Sequence, residues 1–183
     1  MLLSDQDLVR LGPTLVTPFD AQFVQPASID LRLGRFILAP SGAPTDRVID
    51  IRHSLEWMKY STFDLETSEY VLYPGQGILA STYERLSVPD NLAARVEGRS
   101  TLGRLFILVH HTAGWVEPTF EGEITLEILN NGYHPFTMYW QMPVAQVNFQ
   151  ALTAPVQRAY GAALGSHYQN QTGPTRPVGN RKG

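Results

Sequence analysis

Apolar and polar residues alternate with a period of two along much of this chain. Ile29, Leu31 and Leu33 alternate with Asp30 and Arg32, which reads as a strand. Over residues 123–129, Ile124, Leu126 and Ile128 share one strand face, and Thr125, Glu127 and Leu129 share the other. Residues 70–72 and 77–81 read as strands around a Pro74-Gly75 turn, and 91–96, 137–140 and 144–149 as further strands. Residues 106–110 form an apolar run of the buried type. One helix is predicted over residues 4–10, with Ser4 as N-cap and Asp7 three residues on. Short strands at this spacing predict an all-β fold, a distorted barrel or jelly-roll-like domain with one short N-terminal helix.

Composition narrows this picture. Gly (15 residues) and Pro (13) are scattered evenly, which favours many turns. A length of 183 residues suits one domain over 1–183. No apolar run approaches the ~20 residues of a membrane span, and the opening residues do not read as a secretory signal. The expected setting is therefore the cytoplasm, or a host cytoplasm for a viral protein, with no membrane partner. There is no cysteine, which leaves no disulfide and no thiolate zinc site. A net charge of −3 argues against a broad basic face for nucleic acid and leaves room for a local basic pocket. Beyond Leu152 the chain turns rich in Gly, Pro, Asn, Gln and Arg. Such a tail is either a frayed terminus or a lid that orders over an anionic ligand.

Four segments offer chemistry. Arg99, Ser100, Thr101 and Arg104 lie in Gly98-Arg99-Ser100-Thr101-Leu102-Gly103-Arg104, where small residues, hydroxyls and guanidinium forks suit a polyphosphate cradle. The same stretch also reads as a polar turn with solvated arginines, and it lacks the Gly-Lys-Ser/Thr ending of a Walker loop. His110 and His111 are adjacent on an expected strand, so they point to opposite faces and chelate poorly. Trp115 reads as core as readily as ligand platform, and Glu117 before Pro118 as a turn residue. Glu127 lies within an apolar strand. A carboxylate there is either paired across strands, solvent-facing, or available as a general acid/base. Finally, Tyr160 and His167-Tyr168-Gln169-Asn170-Gln171-Thr172-Gly173-Pro174-Thr175 carry groups able to close over a base or phosphate.

In this order and spacing the segments resemble the dCTP deaminases of the dUTPase superfamily. The resemblance begins at Leu3-Ser4-Asp5-Gln6-Asp7-Leu8 and Ile29-Asp30-Leu31-Arg32-Leu33-Gly34. It is most specific in residues 98–105, in Val109-His110-His111-Thr112-Ala113-Gly114-Trp115 and in Gly122-Glu123-Ile124-Thr125-Leu126-Glu127. It implies a dUTPase-like distorted β-barrel, a homotrimer with sites between subunits, and a C-terminal arm over residues 160–183. It implies dCTP and dUTP as ligands, dTTP as an inhibitor, and Mg²⁺ carried on the triphosphate with no metal bound directly by protein. Unlike the zinc deaminases, the family deaminates without zinc.

The resemblance also assigns roles. Glu127 matches the catalytic glutamate, Arg104 the arginine that supports the reacting centre, and Ser100 the serine beside triphosphate and water. The Ala113 carbonyl matches a water holder. Arg99 and Thr101 match phosphate contacts, and Trp115 and Glu117 fall in the nucleotide-binding set. Tyr160, His167, Tyr168 and Gln171 match positions of the arm. His167 stands where lysine is usual, which makes a phosphate contact pH-dependent. Glu117 stands where aspartate is usual, and ångström-scale misplacement of a carboxylate can cost ~10²-fold in rate. Ala113-Gly114-Trp115 resembles the version found in bifunctional branches. Three activities follow as alternatives: deamination of dCTP to dUTP, a bifunctional enzyme giving dUMP and diphosphate, or a trimeric nucleotide-binding regulator without catalysis. The retained Glu127 argues against a simple dUTP diphosphatase, a variant of the second, and deamination of dCTP to dUTP is the reading adopted.

Overall fold

A computed structural model gives the fold, and the structure describes residues 1–42 and 46–179. It opens with α1 (Asp5–Leu15). The strands, in chain order, are β1 (Val16–Thr17), β2 (Val24–Gln25), β3 (Ser28–Arg32), β4 (Phe36–Ser41), β5 (Lys59–Asp64), β6 (Tyr70–Leu72), β7 (Gly77–Ser87), β8 (Leu92–Gly98), β9 (Ile107–Leu108), β10 (Trp115–Val116), β11 (Glu121–Asn130), β12 (Phe136–Met138) and β13 (Pro143–Ala151). A second short helix, α2 (Ser100–Arg104), separates β8 from β9.

One sheet runs β5-β4-β7-β11-β9, with β1 beside β7; the other runs β10-β8-β13-β3-β2. β6 and β12 form a separate two-stranded ribbon. The all-β expectation holds. The strands form two distorted sheets around one core rather than one closed cylinder, and an isolated bridge, Leu33 to Thr82, links the sheets. Leu31, Val147 and Phe149 from one sheet meet Ala80, Leu126 and Ile128 from the other, with Leu8 and Leu15 of α1 completing the cluster. Fully burying an aliphatic or Phe side chain contributes about 1.5–3 kcal/mol.

α1 extends past the predicted residues 4–10 because Leu8, Gly12 and Leu15 form a buried stripe at helical spacing. Ser4 is the N-cap, but its hydroxyl donates to Asp7 Oδ2 at 3.2 Å and no side-chain cap bond to the backbone forms. Packing, not capping, carries this helix through Pro13 in its last turn. Gly12 is needed for close approach, since a Cβ there would stand 2.1 Å from Cε2 of Phe19.

Alternation misleads at β3. Asp30, on the polar side of the pattern, is only 6% exposed. Its carboxylate faces Gln25 Nε2 at 3.3 Å and Arg99 Nη2 at 3.4 Å. Burial pushes this carboxyl above the ordinary aspartate value, and the Arg99 charge opposes that shift. On the same side of the pattern, Arg32 donates from Nε to Glu84 Oε1 at 2.6 Å and from its backbone N–H to Oε2 at 2.8 Å. Its guanidinium also lies 4.6 Å from the Phe23 ring centroid and 4.7 Å from that of Tyr83.

The Arg32–Glu84 pair joins β3 to β7, and so one sheet to the other. Glu84 lies within an irregularity where the register passes from Glu123↔Arg85 to Thr125↔Ser81. There the Thr82 hydroxyl accepts the Ile124 N–H at 2.9 Å and donates to the Glu84 carbonyl at 2.6 Å. Removing one partner of a buried ion pair leaves the other charge uncompensated. Glu84→Ala is therefore expected to destabilise the protein by about 3–5 kcal/mol, measured by urea unfolding. An apolar replacement of both Arg32 and Glu84 is expected to recover most of that loss.

Candidate active site

The sharpest chemical position is on β11, the central partner of β7 and β9. Leu126 and Ile128 point into the core, 0% and 1% exposed, so Glu127 falls on the other face and is half-buried. Glu127 lines a cavity of about 440 Å³. No described residue pairs with its carboxylate by hydrogen bond or ion pair, so the cross-strand salt bridge that the sequence left open does not form. The strict alternation stops at Ile124, which is only partly buried and lines the cavity beside Thr125. The β7–β11 irregularity supplies the reason, because a bulge re-aims side chains.

The cavity gathers residues far apart in sequence. Ala113, Trp115 and Glu117 come from the β10 region, and Tyr160, Tyr168 and Gln171 from the arm. Trp115 is 52% exposed, so it is not a core residue. Burial pushes the Tyr160 phenol above its ordinary range; a hydrogen bond with the Tyr168 backbone opposes this, and the Tyr168 and Glu117 charges add to it. Phe120 meets Tyr160 edge-on at 5.8 Å between ring centroids. An aromatic wall beside two carboxylates suits a flat, polar heterocycle.

Other expected site residues lie elsewhere. None of the residues from Arg99 to Arg104 lines this cavity. The expected loop-like cradle is α2, with Arg99 as its N-cap and Ser100, Thr101 and Arg104 exposed. His167 is exposed, with its ring 6.1 Å from that of Tyr168, and does not line the cavity. His110 and His111 are not on a strand, because β9 ends at Leu108. His110 Nε2 stands 3.5 Å from Glu97 Oε2.

The arm lies along β11. Gln171 pairs with Gly122 in a parallel bridge, and the Asn170 N–H donates to the Glu121 carbonyl at 2.7 Å. Gln171 commits its amide to protein, donating from Nε2 to the Glu123 carbonyl at 2.7 Å and accepting from Thr175 Oγ1 at 2.6 Å. Thr119 adopts a left-handed φ of 68°, unusual for a β-branched residue. Its carbonyl accepts from Gln169 Nε2 at 2.9 Å and its hydroxyl accepts the Tyr160 N–H at 2.7 Å. Residues 180–183, the end of the expected arm, lie outside the described residues.

Sequence reasoning misses Tyr60, Phe120, Ile124 and Thr125 as cavity residues. Tyr60 comes from β5, an exposed edge strand with no apolar alternation to announce it. Burial pushes its phenol up, and Arg176, 5.5 Å from the ring centroid, opposes that. The other three stand next to residues that the motifs mark.

A sequence model of the dCTP deaminase-like family matches residues 2–152. A protein named dCTP deaminase from Natronomonas pharaonis is 43% identical, over 100% of this chain and 97% of its own. Proteins named "dCTP deaminase, dUMP-forming" from Halobacterium salinarum and Corynebacterium glutamicum are 44% and 40% identical, covering 95% and 96% of this chain and 92% and 94% of theirs. The crystal structure of 2'-deoxycytidine 5'-triphosphate deaminase from Agrobacterium tumefaciens shares the fold, with a TM-score of 0.65 and 24% identity. That match covers 82% of this chain and 48% of the Agrobacterium chain. The protein is an all-β protein with the fold of that structure. Within that class, the chain belongs to the dCTP deaminase-like family.

The loop before Trp115 is tightly packed. A Cβ on Gly114 would stand 2.6 Å from the Val96 carbonyl oxygen and 2.9 Å from His110 Cε1. Gly114→Ala is therefore expected to destabilise the fold by about 1–3 kcal/mol, as overpacking does. An unchanged urea midpoint would contradict this packing.

Proposed function

We propose that the protein hydrolyses dCTP to dUTP and ammonia. The observation that carries this reading is Glu127, half-buried and unpaired, lining an aromatic-walled cavity in a chain of this family. In the proposed reaction Glu127 takes a proton from water as the water oxygen adds to C4 of cytosine, and delivers it to N3. A second transfer carries the proton of the new C4 hydroxyl to the exocyclic nitrogen, the C4–N bond breaks as C4=O forms, and ammonia leaves a uracil ring. The Ala113 carbonyl and Ser100 hydroxyl hold the water, and Arg104 faces the charge that develops. Arg99, Ser100 and Thr101 take the phosphates, with His167 as a weaker, pH-dependent contact.

Residues 99–104 do not reach the cavity of their own chain, which supports a site shared between subunits of a homotrimer. One copy offers Glu127 and the aromatic wall, and a neighbour offers the arginines. The arm over 160–183 closes each site. Among the described residues no group of three or more His, Cys, Asp or Glu could hold a metal ion. Mg²⁺ is read as carried on the phosphate oxygens of the nucleotide, where it would neutralise part of the triphosphate charge. dTTP, which shares the sugar and triphosphate, is read as a competitor for the same site.

A second reading has its own support. Glu117 lines the same cavity as Glu127, and several relatives are named dUMP-forming. In that reading Glu117 serves hydrolysis of the nascent dUTP to dUMP and diphosphate.

Incubating the pure protein with dCTP and Mg²⁺ and separating products by anion exchange tests both readings. Accumulation of dUTP supports deamination alone; dUMP with diphosphate supports the bifunctional enzyme. A folded protein that leaves dCTP intact sinks both and returns the molecule to a binding role. Glu127→Gln is expected to lower turnover at least ~10²-fold, the range of a lost general base, with sedimentation unchanged.

A further inference from the structure

Residues 123, 125 and 127 follow one another at strand spacing on β11. Glu127 and Thr125 line the cavity, and Glu123 and Thr125 hold the arm. Glu123 Oε2 accepts the Gly173 N–H at 2.7 Å and the Ser81 hydroxyl at 3.0 Å. The Glu123 backbone N–H donates to the Gln171 carbonyl at 3.1 Å, and its own carbonyl accepts from Gln171 Nε2 at 2.7 Å. Thr125 Oγ1 accepts the Thr175 N–H at 3.1 Å. Ser81 is 1% exposed, so its hydroxyl is a fixed strut that aims the carboxylate at the arm. Gly173 itself has φ 68°, which turns the chain so that its N–H meets that carboxylate.

We propose that Glu123 is a positioning residue that latches the C-terminal arm over the cavity. This rests on the reading of the Glu127 cavity as the active site. Glu123 touches neither base nor phosphate; it acts by raising the fraction of molecules whose arm is closed before nucleotide arrives. The affinity of a ligand that needs the closed form scales with the closed fraction. The chemistry of the latch is a charge-assisted hydrogen bond to a backbone N–H, stronger than a neutral one.

Two readouts test this. Chymotrypsin cleavage after Tyr160 and Tyr168 in the nucleotide-free protein reports arm opening directly. Glu123→Ala is expected to speed that cleavage roughly tenfold, because cleavage follows the open fraction, and to raise KM for dCTP by a smaller factor, because affinity follows the closed fraction, while kcat changes little. Glu123→Gln keeps an acceptor oxygen for the Gly173 N–H and is expected to restore most of the protection and most of the affinity. Ser81→Ala, which removes only the strut, is expected to give a smaller acceleration, and it serves if Glu123→Ala does not fold. Wild-type cleavage rates in Glu123→Ala, or a Gln variant as open as the Ala variant, would overturn the latch. Should the wild-type protein fail to turn over dCTP, the proteolysis comparison still decides the latch. Conversely, unchanged protection alongside normal turnover refutes the latch and leaves the deaminase reading standing.

Discussion

The structure turns on the irregularity between β7 and β11. From Arg85 to Ser81, β7 advances four residues while β11 advances two, from Glu123 to Thr125. Extra residues in one strand must put their polar groups somewhere, and a buried backbone donor left unpaired is costly. Thr82 solves part of this by offering its hydroxyl to the Ile124 N–H. Glu84 turns inward, to 2% exposure, and is met by Arg32 from the other sheet. The Leu33–Thr82 bridge crosses at the same place. One local defect thus ties the two sheets together, exposes Ile124 to the cavity and sets the register that carries Glu127.

This is also where reading the sequence stops being sufficient. Alternation locates β6, β8, β11 and β13 because each buries one face against the core, and period two is then visible as apolar and polar letters. It locates β3 as well but misassigns its polar face, where Asp30 is buried beside Gln25 and Arg99, and Arg32 is half-buried against Glu84. It fails at β5, whose mostly exposed residues have no apolar face to announce. The helix is legible but cut short at Arg10, because the packing of Gly12 and Leu15 that carries it on is out of sight in the sequence. Register shifts leave no mark on the letters at all, because a bulge is a relation between two strands.

The candidate site is legible to a different degree. Ala113, Trp115, Glu117, Glu127, Tyr160, Tyr168 and Gln171 all stand out in the sequence, and one cavity holds them. They stand out through the ordered motifs, not through periodicity, which leaves Glu127 indistinguishable from a cross-strand salt bridge. Tyr60 cannot be seen, because only the fold brings β5 to this wall. Gln171 reads in the sequence as a nucleotide contact, whereas in the fold its amide is engaged by Glu123 and Thr175 rather than left open to a ligand.

The separation between the cavity and residues 99–104 then has a mechanical meaning in the proposed enzyme. A site halved between copies is assembled by the oligomer, but its closure remains a property of each chain, because the arm docks on the β11 that carries its own Glu127. The docking bonds are polar and specific. Thr119 holds a strained φ whose carbonyl and hydroxyl both receive arm donors, so the strain persists only while those contacts over-determine the turn. Glu123 commits one carboxylate oxygen to the arm and to Ser81 together. An arm held by exchangeable hydrogen bonds rather than by burial in the core can open without unfolding the sheets, which substrate entry and product release both require. Had the arm been packed into the core instead, the same contacts that exclude water from the cavity would have made it a permanent wall.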